Sequence, residues 1–364
     1  MEFIEVASLE ELPQNSRKIV DMNHKKVVLF NTDGEITALA SACQHRGGPS
    51  GEGPLKEING DLYVLCPWHG WHYNVKTGAG LPGLGVQQDV YEVRIKDGKI
   101  SVSKEPLIKG KGHPIRSELD DLVQLKYQTM ASSLNVLGIS TTNMSKHIPR
   151  PSTSEMTLER ALSHAKDCGS ATKMIKLREI QFGSCEGYYS KNEHACGWPC
   201  TITEFDPKDG LVDVYRDVIL WADIVLVATP IRWGSASSLY YRMVERFNSV
   251  QNQITTNDRV LIKNKVAGFI ITGGQDNVQA IAGQMMMFFT ELGFALPPFA
   301  FMGWSRGWVA EDMANNISEF NQSNYIDRAA KDLTENCIKL LKQIKMSPNV
   351  QIESPHPKIS ESMG

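Results

Sequence analysis

The chain has 364 residues, 41% hydrophobic and 22% charged, a length that suggests two or three domains and a composition that argues against wholesale disorder. Its 38 basic and 41 acidic residues leave a net charge of −3, so there is no electrostatic case for a nucleic-acid or membrane-surface partner. No apolar run approaches the ~20 residues that span a bilayer, and the opening Met1–Val6 stretch carries acids where a secretory signal carries bases, so the expected address is the cytoplasm.

Residues 1–105 read as an all-β domain. Short β-rich runs fall at Lys26–Phe30, Ile36–Ala40, Leu62–Cys66, Val90–Ile95 and Lys99–Val102. The dipeptides Asp33-Gly34, Asn59-Gly60 and Asp97-Gly98 are hairpin turns of the kind that join such runs. Residues 106–132 form a linker: Lys109–Pro114 reads as flexible and basic, and Ser117–Met130 as a helix capped by Ser117. From 133 to 346 the pattern alternates. Apolar runs at Leu134–Ile139, Met174–Ile180, Ile224–Ala228, Val266–Ile271 and Phe299–Met302 are separated by helical stretches at 154–167, 211–221, 236–250 and 278–292, with a last helix over 324–345. Five buried strands alternating with helices predict a doubly wound α/β domain with a five-stranded parallel sheet. The whole is an α+β two-domain chain, and residues 347–364 read as a disordered tail.

Cys43-Gln44-His45 is followed, after 20 intervening residues, by Cys66-Pro67-Trp68-His69. A structural zinc ion takes two thiolates and two imidazoles. Here, however, each loop supplies one Cys and one His. That division suits a two-iron cluster in which one iron is held by both thiolates and the other by both imidazoles. Gly47, Gly48 and Gly70 leave room for the backbone to approach the sulfides. The boxes Cys43–Gly48 and Cys66–His72 resemble the cluster-binding boxes of Rieske ferredoxins and Rieske oxygenases. The resemblance implies a Rieske [2Fe-2S] cluster on Cys43, His45, Cys66 and His69. Neither loop has the extra cysteine of respiratory Rieske proteins, which implies the ferredoxin type and a potential toward the low end of the Rieske range. Gly78–Gly83 matches G-x-G-x-x-G, but it lies inside the β domain with Pro82 where a helix would follow, so it is set aside as a nucleotide site.

In a doubly wound sheet, ligands bind at the carboxyl ends of the strands. The first strand, Leu134–Ile139, runs into Ser140, and an extended loop then reaches Arg150, Ser152, Thr153 and Ser154, where a helix starts; hydroxyls and N–H groups there form a phosphate site. The third strand ends in Pro230-Ile231-Arg232-Trp233-Gly234 and the fourth in Thr272-Gly273-Gly274. These segments resemble the NAD(P)H-dependent FMN reductase branch of the flavodoxin-like fold. The resemblance implies that the first holds the FMN phosphate and the other two flank the isoalloxazine. It also implies NADH or NADPH as co-substrate and allows for a homodimer. Thr141–Ile148 makes the first loop longer than is usual in that branch.

Cys185, Cys196 and Cys200 are separated by ten and three residues and have no fourth partner nearby, so they read as buried or redox-active thiols before a second cluster. The remaining histidines are scattered, with no pair spaced to hold the mononuclear iron of a Rieske oxygenase. No catalytic acid–base residue is expected, because hydride transfer to a flavin needs none. The sequence therefore predicts an oxidoreductase passing electrons between NAD(P)H, FMN and a Rieske cluster to a small-molecule or protein redox partner. The alternative is a non-catalytic electron-transfer or redox-sensing protein in which the same groups are relays.

Overall fold

The computed structural model describes residues 1–113, 118–119, 133–145, 147–274, 276–307 and 309–346. The chain divides into two compact units: Met1–Glu118 with Gly187–Cys196, and Leu119–Glu186 with Gly197–Gly364.

Among the described residues of the first unit ten strands form three antiparallel sheets. Strands β2 (Ser16–Met22), β3 (Lys25–Thr32), β4 (Glu35–Ala40) and β8 (Val90–Tyr91) pair in the order β2-β3-β4-β8. Strand β1 (Phe3–Ser8) pairs with β10 (Lys99–Ser103), which pairs with β9 (Val93–Lys96). The third sheet is β5 (Leu55–Ile58), β6 (Asp61–Leu65) and β7 (His72–Asn74). The three expected hairpin turns are present. Asp33-Gly34, Asn59-Gly60 and Asp97-Gly98 all have positive φ at both residues, the backbone that matches the twist of the flanking strands. A fourth turn, Asn23-His24, does the same between β2 and β3. Apolar residues of β2, β3 and β10, among them Val20, Val27, Leu29 and Ile100, form the core with Leu12 and Tyr91.

The linker reading needs correction at its start. Ile108 and Lys111 are tied to the first unit by backbone bonds from Val90 and Gln87, each 2.9 Å, so this stretch is a sheet extension rather than a flexible tether. The helix expected at Ser117–Met130, apart from residues 118–119, and the tail 347–364 lie outside the described residues.

The second unit is built on five parallel strands: β11 (Asn135–Ser140), β12 (Ala171–Lys176), β13 (Ile224–Pro230), β14 (Val266–Gly273) and β15 (Phe301–Ser305). Their order, β12-β11-β13-β14-β15, places a switch point between β11 and β13. β13 is buried along its whole length, as a strand covered on both faces must be. The edge strand β12 is half exposed and starts at Ala171, three residues before the apolar run that marked it, while Leu177–Glu179 turns into a 3-10 helix. The helices Thr153–Asp167 and Asn324–Met346 cover one face, with Leu158, Leu162, Leu333 and Leu341 packed on Val136, Leu226 and Ile270. Gly138 permits this approach, since a Cβ there would meet Leu162 at 2.8 Å. Ser238–Asn257 and Val278–Glu291 complete the expected set, and Ala310–Gln322 is a helix that hydrophobic patterning missed because it buries only Phe320. The expected helix over 211–221 is a short α-turn, Leu211–Tyr215, continuing as π-helix to Trp221.

Candidate functional site

The two Cys/His loops of the first unit are one motif built twice. Cys43 N–H donates to Gly48 O and Gly47 N–H donates back to Cys43 O, both at 2.8 Å. Cys66 N–H donates to Trp71 O and Gly70 N–H to Cys66 O, again at 2.8 Å. Gly47 (φ 75°) and Gly70 (φ 72°) take the left-handed backbone that closes each turn. All four expected donors are buried: Cys43 4% exposed, Cys66 1%, His45 2% and His69 6%.

They are sorted into pairs. The two imidazoles face each other, Nδ1 to Nδ1, at 3.2 Å. The two thiols share a hydrogen bond. That bond, then burial, holds Cys43 well above the ordinary thiol range, and the same bond lowers Cys66 to about 7. Among the described residues no three His, Cys, Asp or Glu side chains gather for a single metal ion. A thiol pair and an imidazole pair are the donor set of a two-iron centre, so the residues fit the group that the sequence implies. Gly48 adds to the fit, since a Cβ there would lie 2.8 Å from Cys66 Sγ.

The surroundings orient these donors. Tyr73 Oη lies 3.2 Å from Cys43 Sγ; burial, then the neighbouring Cys43, pushes its phenol well above the usual range, so it keeps its proton. His45 stacks on the fully buried Trp71, centroids 4.6 Å apart. His69 Nε2 lies 2.6 Å from Ala195 O. A carbonyl only accepts, so Nε2 carries the proton and Nδ1 of the neutral ring keeps its lone pair. Ala195, 126 positions away, carries no local signal of this contact, and Tyr73 reads in isolation as an ordinary strand aromatic. His72, half-buried on β7, stands apart from the ligand pairs.

In the second unit a cavity of about 360 Å³ opens over the carboxyl ends of the sheet. It is lined by Arg150, Ser152, Thr153, Pro230, Arg232, Thr272, Gly273 and Gly274, all singled out in the sequence, and no carboxylate is among its described lining residues. Thr142 joins them. Its Oγ1 lies 3.1 Å from both Ser152 and Ser154, which are 3.0 Å from each other, giving a triangle of hydroxyls at the start of the helix Thr153–Asp167. Thr153 Oγ1 meets Thr272 Oγ1 at 2.7 Å, linking the start of that helix to the fourth strand end. Burial, then the charge of Arg150, lowers Arg232 from the ordinary guanidinium range. Two guanidinium groups that repel each other beside hydroxyls and a helix N-terminus fit a dianion.

Two expected phosphate contacts are placed differently. Ser140 is fully buried and donates to Glu155 Oε2 at 3.1 Å, so it supports the strand end, and Thr142 takes its place in the lengthened loop. Ser154 is also fully buried and reaches the cavity only through Thr142 and Ser152. Ile231 is 5% exposed and packs under Gly273, where a Cβ would meet it at 2.7 Å.

Gly274 also lines a second cavity of about 560 Å³, with Trp233, Gly234, Asp276, Ser305, Arg306 and Gly307. Trp233 is 94% exposed, so its side chain is free to form a wall and takes no part in the core. Trp304, by contrast, packs edge-on against Phe320. The Ser305–Gly307 contribution had no motif to announce it. Of the leftover cysteines, Cys185 is exposed, Cys196 half-buried, and Cys200 is buried with Arg246 Nε donating to its sulfur at 3.1 Å.

Two family models match the chain in series: the Rieske [2Fe-2S] domain over residues 2–83, and NADPH-dependent FMN reductase over residues 135–308. Both matches lie in series on one polypeptide, a Rieske region followed by an FMN-reductase region. The two models support a Rieske [2Fe-2S] cluster, FMN and NAD(P)H as the redox groups, and an oxidoreductase-type enzyme of electron transfer. A human Rieske domain-containing protein is 28% identical over 114 residues, 27% of this chain and 73% of that protein. The ferredoxin component of the alkene monooxygenase system of Xanthobacter autotrophicus is 25% identical over 109 residues, 30% of this chain and 87% of its own. The solved structure of RosB with bound 8-demethyl-8-formylriboflavin-5'-phosphate is 19% identical, covers 59% of this chain and 82% of its own, and has a TM-score of 0.49. Among the described residues no helix is long and apolar enough to cross a membrane.

Proposed function

We propose that this chain is an NAD(P)H-dependent oxidoreductase that passes electrons from the nicotinamide through FMN to its Rieske cluster, and from there to a separate small-molecule or protein acceptor. One observation carries the reading: a single chain holds both a thiol pair with an imidazole pair and a cavity in which Arg150 and Arg232 meet the hydroxyls of Thr142, Ser152 and Thr153 without a carboxylate. FMN, when bound, accepts two electrons as a hydride and releases them singly, which matches it to a cluster that holds one.

The protein's own part is to hold and orient. Ser152, Thr142 and the N–H groups that open the helix Thr153–Asp167 would take the phosphate, with Arg150 and Arg232 balancing its charge. Pro230–Gly234 and Thr272–Gly274 would flank the ring, and Trp233 would wall its outer side. Cys43 and Cys66 would hold one iron and His45 and His69 the other. Tyr73 would supply a proton donor to the Cys43 sulfur, and Trp71 would keep the His45 ring in plane.

The test is anaerobic addition of NADPH or NADH to the purified full chain, followed by visible absorbance and electron paramagnetic resonance. Bleaching of flavin absorbance with growth of a Rieske signal supports the proposal. Steady nicotinamide oxidation with an artificial acceptor supports the enzyme, and its absence would leave only a relay.

A further inference from the structure

The segment Gly187–Cys196 packs as part of the first unit, although its sequence neighbours Glu186 and Gly197 belong to the second. Two 3-10 turns, Tyr188–Ser190 and Glu193–Ala195, give it a fixed shape, and Asn192 caps the second by accepting from His194 N–H at 2.9 Å. It meets the unit at one of the four donors. Ala195, itself fully buried, accepts from His69 Nε2 at 2.6 Å, and the Tyr188 ring stands edge-on to the His69 ring with centroids 4.8 Å apart. His69 is the most accessible of the four donors even so, at 6% against 1–4% for the others, which marks this edge as the one left open if the segment were lifted.

We propose that Gly187–Cys196 is a strap that fixes His69 as an Nδ1 ligand through the Ala195 carbonyl and closes this edge of the cluster to diffusing redox proteins. The inference rests on the ligand set Cys43, His45, Cys66 and His69. Holding the outer N–H on a carbonyl orients a ligating imidazole and makes it more basic, which favours the oxidised metal. Covering the edge acts in the same direction. With two thiolates and two neutral imidazoles the oxidised cluster is neutral and the reduced one singly negative, and excluding water disfavours the charged form. The strap therefore lowers the reduction potential while it blocks contact.

The test uses the full chain, loaded with cluster, with Tyr188–Ala195 replaced by eight residues of Gly and Ser. Two quantities are read: the midpoint potential, and the rate at which the reduced cluster passes one electron to ferric cytochrome c, a probe too large to pass the strap, relative to the small oxidant ferricyanide. The expected result is a higher potential and a cytochrome c rate raised about tenfold or more against the ferricyanide rate. Tyr188→Ala, which leaves the Ala195 carbonyl in place, should move both quantities in the same direction by less, and it decides the matter if the replaced strap fails to retain iron. A loaded cluster with either quantity unmoved overturns the strap alone. Absence of iron from the wild-type protein overturns the ligand set, and the strap with it.

Discussion

Gly48→Ala places a methyl group where the structure has no room for one. Its Cβ would lie 2.8 Å from Cys66 Sγ and 2.8 Å from the Trp68 ring. Real Cβ atoms do not approach other atoms this closely, so something must move. The Cys66 loop is held by two 2.8 Å backbone bonds, and Cys66 is 1% exposed, so the shift falls on a proposed iron ligand. Overpacking of this kind costs about 1–3 kcal/mol. Gly47→Ala is the control. A Cβ there meets nothing within 4 Å, but Gly47 has φ 75°, so the cost is backbone strain of about 1–2 kcal/mol with no push on the sulfur. Both variants should therefore lose comparable thermal stability, but only Gly48→Ala should lose iron or shift the Rieske resonance lines. Flavin content should be unchanged in both. A Gly48→Ala protein with wild-type iron content, spectrum and melting temperature would refute the packing argument.

Replacing Ser152 and Thr153 together with Glu should weaken FMN binding about 10–100-fold, the worth of a charge-assisted hydrogen bond, as read by fluorescence titration of the apoprotein. Asp209→Asn should cost about 3–5 kcal/mol in urea unfolding, because it strips the partner from Arg246, whose side chain is 0% exposed. Glu155 should set an acid limit on the second unit. Burial works against its charge, but hydrogen bonds from Arg178 and Lys176 hold its pKa at about 2 against 4.5. A lowered folded-state pKa contributes stability above the unfolded value and loses it as pH falls toward the folded one, so about 3 kcal/mol should vanish between pH 5 and 2, and Glu155→Gln should flatten that limb.

Local signals carried most of the fold. Asp-Gly and Asn-Gly turns require positive φ at both residues, so they marked three hairpins in the first unit without any knowledge of the sheets they join. The buried strands β11, β13 and β14 announced themselves because a strand covered on both faces has nowhere for polar residues. Misses came where burial is partial. Edge strand β12 mixes Thr and Lys with apolar residues, and the helix Ala310–Gln322 buries one side chain. At the sites, the ligand pairs were visible because each loop carries its donors within four residues. The partners of those donors were not. Whether Ser140 faces a ligand or a carboxylate depends on Glu155 and on the Arg178 and Lys176 that hold it, and the contact of Ala195 with His69 spans 126 positions. Such choices are made by tertiary packing, which no local pattern encodes.

In the proposed function flavin and cluster exchange electrons within one chain, since fusion keeps the effective concentration of each for the other high. The most direct measurement is the rate of cluster reduction after anaerobic mixing of the full chain with NADPH, taken across a wide dilution series. Exchange within the chain should make the Rieske signal appear at a rate independent of protein concentration. A rate that falls in proportion to dilution, or a flavin that is reduced while the cluster stays oxidised, would contradict it.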